Sequence, residues 1–297
     1  MGESTPAEDR ARFEVLPFPG IVEEAAQLPR PVRVAVTCSP KHGPDRAVEA
    51  AARLRQLGHS LTVHVAARMV RDRDHLDQLL AGLADADVYD LFLIGGDIED
   101  PVGEYASAVD LLPLVADHPQ RPELVGVASY PEGHPRISPE ELERALRDKS
   151  RLADYVVTQM CFDQEALRTW IVRQREGGME LPVVIGMPGK VARRKLLMMS
   201  ARIGVGPSID FLRKQKGLRS LLSRRSTADR LYDGIVPMLN DPELAVDGFQ
   251  YFTFNELCQT WKWHQKKLAS NPKGSSGVPT RRATVGHVET STQESRT

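Results

Sequence analysis

Eight short β-rich runs alternate with helix-period segments, and this alternation constrains the fold more than any other feature of the chain. The runs are Arg12–Leu16, Val32–Val36, Leu61–Val65, Leu91–Ile94, Leu124–Ala128, Tyr155–Thr158, Pro182–Ile185 and Phe249–Thr253. Between them, apolar residues recur with a period near 3.6. In Asp45–Leu57, Ala47, Ala51 and Leu54 share one face; in Asp74–Leu83, Leu76, Leu79, Leu80 and Leu83 do. Glu104–Ala116, Pro139–Arg147, Gln164–Glu176 and Lys190–Ile203 behave alike, and Pro44-Asp45, Ser138-Pro139 and Asp163 are helix-start signals. Eight such units over about 250 residues predict a single-domain (β/α)8 TIM barrel, with a doubly wound sheet as the rival. Ser208–Leu218 and Thr227–Leu239 both fall between strands seven and eight, so that connection carries an extra helix.

The barrel is expected to occupy residues 11–268. Residues 1–10 and 269–297 are polar and poor in large apolar side chains, and are expected to be disordered tails. The 39 Lys+Arg nearly cancel the 40 Asp+Glu, which disfavours bulk electrostatic binding to nucleic acid. The basic runs Arg193-Arg194-Lys195, Arg213-Lys214-Gln215-Lys216 and Arg224-Arg225 read as solvated helix surface. No apolar run approaches the ~20 residues of a membrane helix. Cys38, Cys161 and Cys258 are widely spaced and read as core fillers, so a reducing cytoplasm is expected. The chain has no histidine pair at metal spacing and no Asp/Glu cluster beside its histidines, so no metal is expected; it also carries no dinucleotide fingerprint or Walker motif.

In a barrel of this kind the site lies where strands end and βα loops begin. Strand one carries Glu14. Strand two ends in Thr37-Cys38-Ser39, and strand three carries His64. Strand four ends in Gly95-Gly96-Asp97, strand five in Tyr130-Pro131-Glu132-Gly133-His134-Pro135, and strand six in Thr158-Gln159. Strand seven ends in Gly186-Met187-Pro188 and strand eight in Thr253-Phe254-Asn255. Polar, titratable or backbone-permissive residues therefore gather at one end of all eight strands. Glu14 stands in an apolar run, where a carboxylate costs several kcal/mol unless paired or protonated. It is either a general acid of raised pKa in the barrel mouth or a water-facing residue of an edge strand. Gln159 can donate and accept hydrogen bonds at once, which suits a heterocyclic amide. Trp261 and Trp263 flank the expected start of the last helix and read as packing or interface residues.

Phe13-Glu14-Val15-Leu16-Pro17, Gly96-Asp97, Tyr105-Ala106-Ser107, Tyr130-Pro131-Glu132-Gly133-His134-Pro135, Thr158-Gln159-Met160-Cys161-Phe162-Asp163 and Phe249-Gln250-Tyr251-Phe252-Thr253-Phe254-Asn255 occur in the order found in methylenetetrahydrofolate reductases. The chain resembles that family over about residues 12–265. The resemblance implies an enzyme that reduces 5,10-methylenetetrahydrofolate to 5-methyltetrahydrofolate with NADH or NADPH, normally through bound FAD. It implies Glu14 as the general acid that protonates N10, giving a 5-iminium that takes up hydride. Asp97 would hold the pterin, with Gln159 and Phe211 as further folate contacts. Thr37, His64, Gly95, Gly96, Tyr105, Ala106, Tyr130, His134 and Lys149 match positions of the cofactor pocket, and a homo-oligomer is compatible with the family.

Two departures from the family bear on the cofactor. The family's Arg-Gly-Asp after strand four contacts flavin through its Arg, and that position is Gly95 here. The basic helix before strand six usually ends in Lys-x-x-Ala-Gly-Ala; here Arg147–Asp154 lacks that step, leaving Lys149 as the substitute. Each lost charge-assisted hydrogen bond is worth about 1.5–3 kcal/mol. The reading is therefore a flavin-poor or flavin-free enzyme in which NAD(P)H occupies the pocket. The conventional FAD enzyme is the first alternative. A non-catalytic folate-binding barrel within a methyl-transfer complex is the second, and Glu14 argues against it.

Overall fold

The computed structural model describes residues 6–192, 194–196, 198 and 226–270. Alternation along the strands decides which side chains enter the barrel. Strand β1 (Arg12–Val15) sends Phe13 and Val15 outward into the large apolar shell and Arg12 and Glu14 inward. It is followed by β2 (Arg33–Val36), β3 (Ser60–Ala66), β4 (Asp90–Ile94), β5 (Leu124–Ser129), β6 (Tyr155–Thr158), β7 (Val183–Pro188) and β8 (Val246–Phe252). All eight pair in chain order and in parallel, closing into the expected (β/α)8 barrel. Strand β1 pairs on both sides, Glu14 lying beside Ala35 of β2 and Phe252 of β8. It has no free edge, so the edge-strand reading of Glu14 fails.

Helices α1 (Ile21–Ala25), α2 (Gly43–Gln56), α3 (Arg73–Asp85), α4 (Ala108–Ala116), α5 (Pro139–Lys149), α6 (Gln164–Glu176), α7 (Thr227–Leu239) and α8 (Leu257–Ser270) pack outside the strands. Capping fixes several starts. Ser138 and Glu141 form a capping box on α5, Ser226 and Asp229 another on α7, and Asp163 accepts two backbone N–H groups at the start of α6. Helix α4 begins four residues later than its periodicity suggests, because the Asp110 carboxylate accepts the backbone N–H groups of Ala106 and Ser107 and makes Ser107 the cap. Helix α8 begins before Trp261, so Trp263 is buried inside the helix, where its indole donates to Asp229 (2.8 Å). Much of the expected helix Lys190–Ile203, all of Ser208–Leu218, the basic runs within 213–225 and Phe211 lie outside the described residues.

The expected loose N-terminal decapeptide is corrected over its last residues. Ala7–Asp9 form a short 3-10 turn, Glu8 is buried and accepts a hydrogen bond from the Tyr232 hydroxyl (3.3 Å), and Arg10 pairs with Asp247. Their polarity is matched by partners on α7 and β8, a pairing that composition does not reveal. Helix α8 likewise runs to Ser270, past the expected boundary at 268. No helix among the described residues is long and apolar enough to cross a membrane.

Inside the barrel, Phe92, Tyr155, Val157 and Val184 form an apolar cluster separate from the shell. Below it lies a buried polar floor. Asp90 accepts from the Tyr155 hydroxyl (2.6 Å) and from Thr62 (2.7 Å) and pairs with Arg12 (3.4 Å). The Arg12 guanidinium stacks over the Tyr155 ring at 4.2 Å. Gly126 admits that ring, since a Cβ there would stand 2.2 Å from it. The floor fills the barrel interior near the N-terminal ends of the strands; the βα loops leave from the C-terminal ends, the mouth.

Candidate active site at the barrel mouth

Glu14 is the first polar side chain above the floor on β1. Its carboxylate accepts one hydrogen bond, from the amide nitrogen of Gln250 (2.8 Å). Burial pushes its pKa from the ordinary 4.5 up to about 7, and the Gln250 bond opposes that rise. A carboxyl group poised there can give up a proton at neutral pH.

Its backbone is held from β8. Thr253 donates through its hydroxyl to the Glu14 carbonyl (2.6 Å), and Asn255 brackets Leu16, accepting from its N–H (2.8 Å) and donating to its carbonyl (3.1 Å). This clamp places Phe254 and Asn255 consecutively in the left-handed region, with φ of 49° and 62°. Asn tolerates that conformation; Phe seldom adopts it, and the strain is stored beside the acid.

The neighbouring strand ends contribute groups that stay neutral. The thiol of Cys38, next to Thr37, is pushed up to about 12, chiefly by burial, with the charges of Asp97 and Glu14 adding to the effect. His64 is 2% exposed and packs edge-on against Phe92 at 4.7 Å; burial pulls it down to about 3, so it is uncharged. Its Nε2 has no hydrogen-bond partner among the described residues.

The rim carries the charge. Gly96 has φ of 97°, a turn that an L side chain would strain, and it brings Asp97 to an exposed position at the mouth. The Asp97 charge reaches Cys38, Tyr130 and His134. Tyr130 and His134 meet edge-on at 5.0 Å. Burial raises the Tyr130 phenol, helped by Asp97, and lowers the His134 imidazole, which Asp97 opposes. Their loop is fixed to the next one because Glu132 accepts the backbone N–H groups of Phe162 and Asp163, both at 2.8 Å. On that next loop Gln159 accepts from the Met160 N–H (2.8 Å), and its side-chain nitrogen has no partner among the described residues.

The structure thus brings Glu14, Thr37, His64, Gly95, Gly96, Asp97, Tyr130, His134 and Gln159 to one end of the barrel. Three other sequence candidates sit differently. Tyr105 is buried in the apolar shell, and the Ala106 N–H is committed to Asp110 at the cap of α4. The Lys149 ammonium is buried and donates to the Ala128 carbonyl (2.6 Å), with burial pushing its pKa down to about 8. Gln250 is the residue that sequence reasoning missed. The signal was available: in Phe249-Gln250-Tyr251 the two aromatic residues face the shell, so period two turns the amide inward.

Comparison with known proteins bears on this arrangement. The model of the methylenetetrahydrofolate reductase family matches residues 30–200, more than half of the chain. Methylenetetrahydrofolate reductase 2 of Saccharomyces cerevisiae is 28% identical over 89 residues, which are 29% of this chain and 15% of the yeast protein. The chain therefore matches only a small part of that relative's length. Among solved structures, an uncharacterised protein from Clostridium thermocellum that binds two copies of 5-methyl-5,6,7,8-tetrahydrofolic acid superposes with a TM-score of 0.61. It is 12% identical, covering 85% of this chain and 94% of that one, which makes the likeness one of fold.

Proposed function

This chain belongs to the methylenetetrahydrofolate reductase family, and from that membership and the geometry of its mouth we propose that it reduces 5,10-methylenetetrahydrofolate to 5-methyltetrahydrofolate with NADH or NADPH. The observation that carries the reading is Glu14, a carboxyl group inside the barrel with a pKa of about 7. It stands outside the residues matched by the family model, so its geometry is an independent support.

In the proposed reaction Glu14 gives its proton to N10 of the folate. The carbon–nitrogen electron pair goes to N10, the five-membered ring opens, and a 5-iminium is left. Hydride from the nicotinamide then adds to the iminium carbon and yields the methyl group. Asp97, at the rim, balances the cationic pterin, and Gln159 offers its free amide N–H groups to the pterin ring. Thr37, Gly95, Gly96, Tyr130 and His134 line the space for the dinucleotide. Neutral His64, packed on Phe92, is part of the buried inner wall.

The residues present fit FAD poorly. Gly95 has no side chain to reach a flavin and nothing stands within 4 Å of its Cβ position, while the Lys149 ammonium is committed to a backbone carbonyl. We therefore propose that both substrates occupy the mouth together and that hydride passes directly, in a ternary complex. The test is anaerobic turnover with NADH and then NADPH, with and without added FAD. Turnover at full rate without FAD is expected. Turnover only after FAD is added would restore the conventional reading.

A further inference from the structure

Gln250 lies on β8, facing Glu14 across the seam that closes the barrel. It is 1% exposed. Its amide nitrogen donates to Glu14 at 2.8 Å, yet its amide oxygen is fully buried without a partner among the described residues. An orphaned buried carbonyl costs about 1–3 kcal/mol, and packing alone would favour a Leu or Met at this position. The oxygen and nitrogen of a primary amide are nearly isosteric, so half a turn about its last torsion exchanges acceptor for donor within the same volume.

We propose that Gln250 is a two-state positioning residue for Glu14: its nitrogen donates to the carboxylate, and after a half-turn its oxygen accepts the proton of the carboxylic acid. The inference rests on the reading of Glu14 as a proton donor that cycles between these two forms. Before the chemical step the O–H of Glu14 is held by the Gln250 oxygen. With folate bound, the acid turns its O–H from the Gln250 oxygen to N10; when that O–H bond breaks and the proton forms an N–H bond on the folate, the new carboxylate receives the Gln250 N–H instead. One amide thus satisfies both ends of the step, and the oxygen that is orphaned beside the carboxylate is used beside the acid.

The groups packed around the pair do not compete for this role. On β2, Ala35 is apolar, and just after β2 the Cys38 thiol stays protonated. On β3, His64 stays neutral. On β1, Arg12 is paired with Asp90 below, and on β8, Phe252 is apolar. Asp97 stands at the rim, where its charge acts on Cys38, Tyr130 and His134.

The experiment is NMR of protein labelled at glutamine side-chain nitrogen and glutamate carboxyl carbon, titrated through neutral pH. The Gln250 amide signals, assigned by their loss in Gln250→Met, are expected to move with the Glu14 carboxyl and to stay flat in Glu14→Gln. In Gln250→Met both bonds are lost; because the bond to the charged form is charge-assisted and about twice as strong as the bond to the neutral acid, the Glu14 midpoint is expected to rise, by about one pH unit. The alkaline limb of the turnover profile should rise by the same amount, whereas a purely structural role would lower turnover at every pH and leave the limb in place. Gln250 signals that stay flat while Glu14 titrates in the wild-type protein overturn the proposal, and so does an unmoved Glu14 midpoint in Gln250→Met. The first of these readings needs no variant of Gln250 beyond assignment. If the NMR behaves as expected but the protein does not turn over folate, the proposed reaction fails and the two-state pair stands.

Discussion

Replacing Glu14 by Gln is expected to stabilise the protein, and to do so only as the pH rises. In the folded chain Glu14 titrates at about 7, against an ordinary value of 4.5. Between those values the folded state keeps a proton that the unfolded state releases. A raised carboxyl pKa therefore favours folding fully below 4.5 and loses that advantage as pH climbs to 7. The complete penalty is 2.5 pH units at 1.36 kcal/mol each, about 3.4 kcal/mol, of which about 2.5 kcal/mol falls between about pH 5 and pH 8. Glutamine has the same shape and cannot ionise. Its oxygen can accept from the Gln250 nitrogen as the carboxylate does. The assay is urea unfolding of both proteins at the two pH values, where every other titrating group cancels in the comparison. The gain of Glu14→Gln over wild type is expected to be about 2.5 kcal/mol larger at the higher pH. A gap that is constant within about 0.5 kcal/mol would refute the placement of Glu14 in a desolvated barrel interior.

Three further outcomes follow from other parts of the barrel. Gly95→Arg meets nothing within 4 Å at its Cβ and lies outside the left-handed region, so it is expected to fold with stability within about 0.5 kcal/mol of wild type and to retain more flavin through purification; visible absorption of the two proteins side by side decides it, and an equally colourless variant would show that the missing side chain does not set flavin affinity. Asp90→Ala leaves the Arg12 guanidinium as an uncompensated buried charge and should lower stability by about 3–5 kcal/mol in urea unfolding. Gly126→Ala drives a methyl group to 2.2 Å from the Tyr155 ring, and overpacking there should cost about 1–3 kcal/mol, read as a lower midpoint at unchanged m-value.

The architecture was legible because each βα unit repeats the same two periodicities. Every strand expected from the sequence is present; the short helix α1 was not read from it, and the other errors are at ends, where side-chain caps outweigh periodicity. Asp110 moved the start of α4, and the pairing of Glu8 with Tyr232 and of Arg10 with Asp247 ordered residues that read as a tail. Much of the mouth was legible too, since a parallel barrel puts all strand exits on one face. The barrel floor was not. Arg12, Thr62, Asp90 and Tyr155 come from four strands and look like ordinary polar strand starts until closure sets them face to face. Gln250 was hidden for the same reason: its partner is 236 residues away along the chain, across a seam that only the closing pair β1–β8 creates. Lys149 illustrates the converse. A lysine at the end of a basic helix reads as a phosphate ligand, but the local backbone turns its ammonium onto Ala128.

An isotope tests the proposed direct route of the hydride. NADH or NADPH carrying deuterium at the transferred position of the nicotinamide is supplied anaerobically with methylenetetrahydrofolate to flavin-free protein, and the methyl group of the product is examined by mass spectrometry. Direct transfer in a ternary complex predicts one deuterium per methyl group, with no loss to solvent however slowly the folate is added. A product methyl that carries solvent hydrogen in place of deuterium would contradict it, because an exchangeable carrier would then stand between the two substrates.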